Sequence, residues 1–185
     1  MTTKIQSMGA GRVGDRAKTE SISPMLATPT DLAPEAVAAV TAAINPLIAD
    51  AYALYLKTKN FHWHASGLHF RDYHLLFDEQ ADALLDSTDT LAERVRRIGG
   101  TTLRSISHIS RLQTIKDDND DFVLPAQMIQ RLLDDNLHIA ATQRAAMELC
   151  DELRDHPTSN SLQELLDQTE RRIWFLFEVI QSDAG

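Results

Sequence analysis

Five ionisable side chains between residues 62 and 93 have types and a spacing suited to metal chemistry: His62, His74, Asp78, Asp89 and Glu93. His74 and Asp78 are four residues apart, as are Asp89 and Glu93, so on a helix each pair lies one turn apart on a common face. The eleven residues from Asp78 to Asp89 make about three turns. The second pair therefore returns to within roughly 20° of the first while sitting about 16 Å further along the axis. One metal ion cannot touch both pairs of a single copy at that separation. A second copy lying antiparallel across a two-fold axis would set the His/Asp pair of one chain against the Asp/Glu pair of the other. The spacing thus predicts a metal site built between subunits, with His62, at the end of the preceding helix, as its fifth candidate ligand.

Imidazole nitrogen combined with carboxylate oxygen suits iron, manganese or zinc rather than copper(I), which prefers sulfur. A competing account makes Asp78, Asp89 and Glu93 members of a solvated acidic face with Glu79, Asp82 and Asp86. For any one carboxylate that account is the simpler; two histidines and three acids in register on a helical hairpin favour the metal. A di-iron site within one four-helix bundle would need Glu-x-x-His on two helices. No such motif occurs, and the nearest match, Asp135-x-x-His138, reads as a surface pair. His-Glu-x-x-His, Gly-x-Ser-x-Gly and a phosphate-binding glycine loop are also absent. His64, His69, His108, His138 and His156 have no comparable partners and are assigned to turns or the surface. Trp63 adjoins His62, but aromatic packing beside a turn is a commoner role for tryptophan than electron transfer.

The elements that must position these residues are helical. A first helix begins near Thr30 or Asp31, either of which can cap it, and carries apolar residues from Val37 to Leu56 at helical spacing before ending about His64. Pro46 predicts a kink, or a break into a short helix and a second one starting near Asn45. After a turn at Ala65, Ser66 and Gly67, a second helix runs from about Phe70 to Ile98, stopped by Gly99 and Gly100, with Arg94, Arg96 and Arg97 favourably placed in its last turns. The connection 101–124 contains a short helical pattern (Ile106, Ile109, Leu112, Ile115) and an acidic run at 117–121. That run lacks the ligand alternation of a calcium loop and reads as a solvated turn. A third helix enters at Pro125 and runs to about Arg154, and a fourth spans about Ser161 to Gln181, capped by the polar cluster Thr158 to Ser161. The architecture is all-α: four long helices, with a short extra helix in the long crossover between the second and third.

The 185 residues, 43% hydrophobic and 24% charged, suit one domain at 31–185 preceded by a flexible tail at 1–30. No run of unbroken apolar residues approaches the roughly 20 needed to span a bilayer, and no signal peptide is evident, which predicts a cytoplasmic protein without a membrane partner. Cys150, the single cysteine, cannot form an internal disulfide and reads as a small buried hydrophobe. The net charge of −9 is uneven. The first 30 residues carry Lys4, Arg12, Arg16 and Lys18 against Asp15 and Glu20, whereas the remainder carries 14 basic and 25 acidic side chains. The body should repel nucleic acid; only the tail could attract it.

The sequence NFHWHASGLHFRDYHLLFDEQADALLDSTDTLAERVRRIGG, residues 60–100, strongly resembles the Dps proteins, or mini-ferritins, and the resemblance extends from about residue 35 to 181. The matching pattern is His62, then His74 and Asp78, then Asp89 and Glu93. This resemblance implies a ferritin-like four-helix bundle and a di-iron ferroxidase site between two subunits, with His62, His74 and Asp78 of one chain facing Asp89 and Glu93 of its partner and Glu93 bridging two irons. It further implies a hollow dodecamer in which iron(II) is oxidised, preferentially by hydrogen peroxide, and stored as ferric mineral. Two departures stand out. Many members line an iron-access pore with acids near the start of the last helix, whereas Pro157 to Ser161 holds none, leaving Asp151, Glu152 and Asp155 as substitutes. DNA binding in the family often uses a lysine-rich terminus, and this tail has two lysines and two arginines. The alternative to iron storage is a nucleoid-binding scaffold that compacts DNA through such tails.

Overall fold

A computed structural model describes residues 23–182. Five helices follow a 3₁₀ turn at Pro24–Leu26: α1 Pro34–His64, α2 Phe70–Arg97, α3 Ile106–Leu112, α4 Pro125–Glu152 and α5 His156–Ser182. No strand occurs among the described residues. α1 and α2 form one hairpin and α4 and α5 the other, and the short α3 rides on α1 within the crossover. Of the expected tail, residues 1–22 lie outside the described residues. Residues 23–30 are held against the end of α2, where Arg96 donates to the Leu26 carbonyl at 2.8 Å.

α1 replaces the expected cap and decides against a break at Pro46. Its N-cap is Ala33, in extended backbone with Pro34 in the first turn, while the Thr30 hydroxyl accepts from the Leu32 amide in the preceding turn. The helix is also continuous through Pro46. An interior proline costs about 3 kcal/mol in a helix. Val40, Ile44, Leu47 and Ile48, all at most 5% exposed, surround it. Burying each such side chain contributes roughly 1.5–3 kcal/mol, enough to offset that cost. The Asn45 amide, donating to the Thr101 carbonyl at 2.9 Å, ties the same turn to the crossover. By length and composition α1 would also suffice to cross a membrane, which the absence of an unbroken apolar run concealed; its core-facing side, with Val40, Ile44, Ile48 and Leu54, is packed within the bundle, while Leu56 is exposed.

The α2 terminus follows the glycine signal. Gly99 has φ +87°, and a Cβ there would come within 2.8 Å of the Thr28 carbonyl oxygen, so the position needs glycine both for its backbone and for the close approach. The last helix starts earlier than its polar cluster suggested. Asp155 caps α5 by accepting from the Thr158 amide at 3.3 Å, and Pro157 falls in the first turn, where a missing N–H costs nothing. α4 correspondingly ends at Glu152, and Arg154 takes the left-handed conformation at φ 63° that reverses the chain.

Two apolar clusters fill the bundle. One, around Leu54, Phe61, Phe77, Met128 and Leu176, lies at the α1–α2 turn end. The other, around Val40, Ile44, Val95, Cys150 and Leu162, lies at the α4–α5 turn end. The crossover is pinned by Asp50, only 1% exposed, which accepts from the Thr114 and Ile115 amides and the Thr114 hydroxyl. The acidic run is more than a solvated turn: Arg131 binds Asp118 at 2.6 Å and Asp120 at 2.8 Å, and the Asp118 side chain is nearly buried. The expected surface pair Asp135 and His138 is likewise corrected. Asp135 is bonded to Lys57 at 2.6 Å, and His138 contacts the Thr114 hydroxyl at 2.7 Å. Burial raises the Asp135 carboxyl above its ordinary range more than the Lys57 ammonium lowers it.

Candidate metal centre

His62 stands in the last turn of α1, and His74 and Asp78 in the first turns of α2, so the hairpin turn brings together groups twelve and sixteen residues apart. The aromatic side of α2, with Tyr73 and Phe77 buried, fixes which face His74 and Asp78 can occupy. The two imidazoles stack with centroids 3.7 Å apart and planes 19° from parallel. His62 Nδ1 lies 2.7 Å from the His74 carbonyl oxygen, and His74 Nδ1 lies 2.9 Å from the His62 carbonyl oxygen. A carbonyl can only accept, so each Nδ1 carries the proton, and a neutral ring then keeps its lone pair on Nε2. This is how a protein orients an imidazole as a metal ligand. His62 Nε2 points toward Asp78, 3.8 Å from Oδ1.

Lys59, three residues before His62 on α1, completes the cluster. Its ammonium lies 2.5 Å from Asp78 Oδ1. This hydrogen bond is the main reason the Asp78 carboxyl sits below the usual carboxylate range and the Lys59 ammonium above its own. Lys59 is the residue that spacing analysis missed. The available signal was its place about one turn before His62 on the same helix.

Asp89 and Glu93 are both exposed and lie further along α2. Glu93 pairs with Arg97 one turn on. Together with Arg96, Arg97, Thr28 and Thr102 they line an open groove in which two carboxylates face two guanidiniums. Within one chain, therefore, the structure joins His62, His74 and Asp78 and leaves Asp89 and Glu93 apart from them. Among the described residues no three His, Cys, Asp or Glu side chains converge on one metal position. A single chain therefore presents its candidate ligands as two separate groups, His62, His74 and Asp78 in one and Asp89 and Glu93 in the other.

The remaining sequence assignments resolve simply. His64, His138 and His156 are exposed, His69 precedes α2, and His108 lies on α3. Trp63 is 59% exposed rather than packed beside the turn. Cys150 is fully buried, and burial, with Asp155 and Asp151 adding to it, pushes its thiol up to about 11.

Comparison with known proteins gives a consistent picture. A family model described as a ferritin-like domain matches residues 41–184. A DNA protection during starvation protein of Halobacterium salinarum is 33% identical over 143 residues, covering 77% of this chain and 78% of that protein. Among solved structures, DpsC from Streptomyces coelicolor superposes with a TM-score of 0.80 at 28% identity, over 83% of this chain and 90% of that one. The Dps protein of Vibrio cholerae, described as a member of a broad superfamily of ferritin-like diiron-carboxylate proteins, superposes with a TM-score of 0.78 at 26% identity, over 83% and 97%.

Proposed function

This chain belongs to the ferritin-like proteins and, among them, to the Dps family, and from that membership we propose that it is a ferroxidase and iron-storage subunit. Its substrates are iron(II) and hydrogen peroxide, and its product is a ferric mineral kept inside a closed homo-oligomer, a dodecamer built from two-fold dimers. The observation that carries this reading is the reciprocal locking of His62 and His74 beside Asp78, which leaves two Nε2 lone pairs and a carboxylate oriented at one end of α2. The exposed carboxylates of Asp89 and Glu93 would serve the corresponding cluster of the two-fold partner.

The chemistry balances as two iron(II) ions and one hydrogen peroxide, with two waters, giving two FeO(OH) units and four protons. One electron leaves each iron, and both enter the O–O bond, so no hydroxyl radical is released. The protein's share is positional. His62 and His74 bind through neutral nitrogen. Asp78 and the partner's Asp89 and Glu93 supply hard oxygen donors that favour the more highly charged product. Glu93, free to leave Arg97 at the surface, is suited to bridge two ions. Of the three acids near the start of α5, Asp155 is buried in an ion pair with Arg94, whereas Asp151 and Glu152 are exposed.

Subunit mixing tests the proposal. Asp89→Ala/Glu93→Ala and His62→Ala/His74→Ala chains should each assemble yet fail to oxidise iron(II) rapidly with peroxide, and particles reassembled from both should regain part of the rate. Full activity in either parent would remove these residues from the site. Absence of recovery in mixed particles would remove the sharing between subunits. A nucleoid role would rest on the basic residues at 4–18, outside the described residues. A gel shift at low and moderate salt, with and without residues 1–30, decides it, since phosphate contacts weaken steeply with salt. A cytoplasmic location belongs to the same proposal.

A further inference from the structure

Away from the histidine cluster, α2 and α5 line a half-open cavity of about 320 Å³, near the lower end of volumes that hold small ligands. Leu76, Ala83 and Phe175 form its apolar wall. Gln80 and Arg172 also line it, and both are more than nine-tenths buried. Each is left short of an acceptor. Gln80 Nε2 has no hydrogen-bond partner at all. Arg172 donates from Nε to Asn136 at 2.8 Å and from one terminal nitrogen to Thr169 at 2.8 Å, both neutral groups. No carboxylate of the described residues pairs with it, and burial lowers its guanidinium to about 10. A buried cation with neutral partners only, beside an orphaned amide N–H₂, is costly unless something supplies acceptors and negative charge.

We propose that this cavity is a binding site for a small organic monocarboxylate, whose carboxylate accepts from Gln80 and Arg172 while its apolar body lies against Leu76, Ala83 and Phe175. The lining argues for a single charge. At the rim Glu79 is paired with Arg171 at 3.1 Å, which leaves Arg172 as the one guanidinium of the lining without a carboxylate partner, a single positive charge that one carboxylate matches. The apolar wall argues against a bare inorganic anion, which would lose hydration there without return. Arg171 also stacks over Phe175, 4.9 Å from the ring centroid, and so holds that ring as one side of the cavity.

The test is calorimetric titration of the full-length assembled protein with benzoate, with benzamide and inorganic phosphate as comparisons. Benzoate should saturate at one per chain and bind at least about tenfold more tightly than benzamide, its uncharged near-isostere. Gln80→Leu removes a group whose nitrogen makes no internal bond, so the fold should persist while benzoate affinity drops about tenfold. Ala83→Leu fills the cavity and should abolish binding with both donors intact. The proposal fails if benzoate does not saturate, if benzamide binds equally, if phosphate is preferred, or if correctly assembled Gln80→Leu and Ala83→Leu proteins bind benzoate as the parent does.

Discussion

His62 and His74 each hydrogen-bond the other's backbone carbonyl, at 2.7 and 2.9 Å, so one pair of residues both fastens α1 to α2 and aims two ring nitrogens outward. The two duties use different atoms, Nδ1 for the fastening and Nε2 for a metal. Asparagine can place an N–H near the Nδ1 position, and glutamine can reach the Nε2 position. His62→Asn should therefore retain the thermal midpoint while losing peroxide-dependent iron(II) oxidation. His62→Gln should lose about 1 kcal/mol of stability with the missing hydrogen bond. Denaturation and stopped-flow oxidation on both variants check this, and equal midpoints for the two would refute the division of labour.

Lys59 occupies the oxygen of Asp78 that faces His62, with Nζ 2.5 Å from Oδ1. A cation arriving at His62 must share or displace that ammonium. Lys59→Met should accordingly tighten binding of iron(II) under anaerobic conditions, by about tenfold if one charge-assisted hydrogen bond is the competitor. A competitive titration against a chelator measures it. Weaker binding in Lys59→Met would mean that the ammonium positions Asp78 rather than guarding it.

These two relationships also mark what could be read from the sequence. The helical hairpin, its glycine stop at Gly99 and the shared face of His74 and Asp78 follow from local periodicity and capping chemistry, and the family follows from the 60–100 stretch. The orientation of the imidazoles does not, because it depends on the His62 carbonyl, freed in the last turn of α1, and on the His74 carbonyl near the start of α2, whose meeting with the rings is set by the hairpin. Lys59 escaped notice because it lies outside the 62–93 window and pairs across two helices. A break at Pro46 does not occur because burial around it offsets the local penalty, and α5 begins ahead of its polar cluster because Pro157, in a first turn, gives up no hydrogen bond. The Asp135 pairing is not legible locally, because nothing near it in the chain indicates that Lys57, 78 residues away, meets it.

Cys150 yields a pH prediction. Burial raises its thiol to about 11, above the ordinary thiol value of 9.0. A folded-state value above the unfolded one means the protonated thiol favours the folded chain. That contribution is fully present below about 9 and is lost as pH rises through about 11. At pH 8 the native protein should react with a disulfide reagent only as fast as it opens, and denaturant should expose one thiol per chain. Rapid stoichiometric labelling of the native assembly at pH 8 would contradict the burial.

Asp155 joins the start of α5 to the end of α2. It caps the Thr158 amide at 3.3 Å, accepts from the Thr158 hydroxyl, and pairs with Arg94 at 3.0 Å while itself 2% exposed. Arg94 also donates twice to the Thr158 hydroxyl oxygen, at 3.1 and 3.0 Å, which closes a three-residue network. Asp155→Ala would remove a cap and leave a largely buried guanidinium without its carboxylate, at a cost of about 3–5 kcal/mol. Asp155→Asn keeps an acceptor for the amide and for Arg94 and should cost less. Because assembly adds to apparent stability, the comparison requires denaturation at matched protein concentration. Since Asp155 has no contact with His62, His74 or Asp78, particles of Asp155→Asn that assemble should oxidise iron(II) at the parent rate. A loss of oxidation in intact Asp155→Asn particles would instead give this buried carboxylate a part in admitting iron.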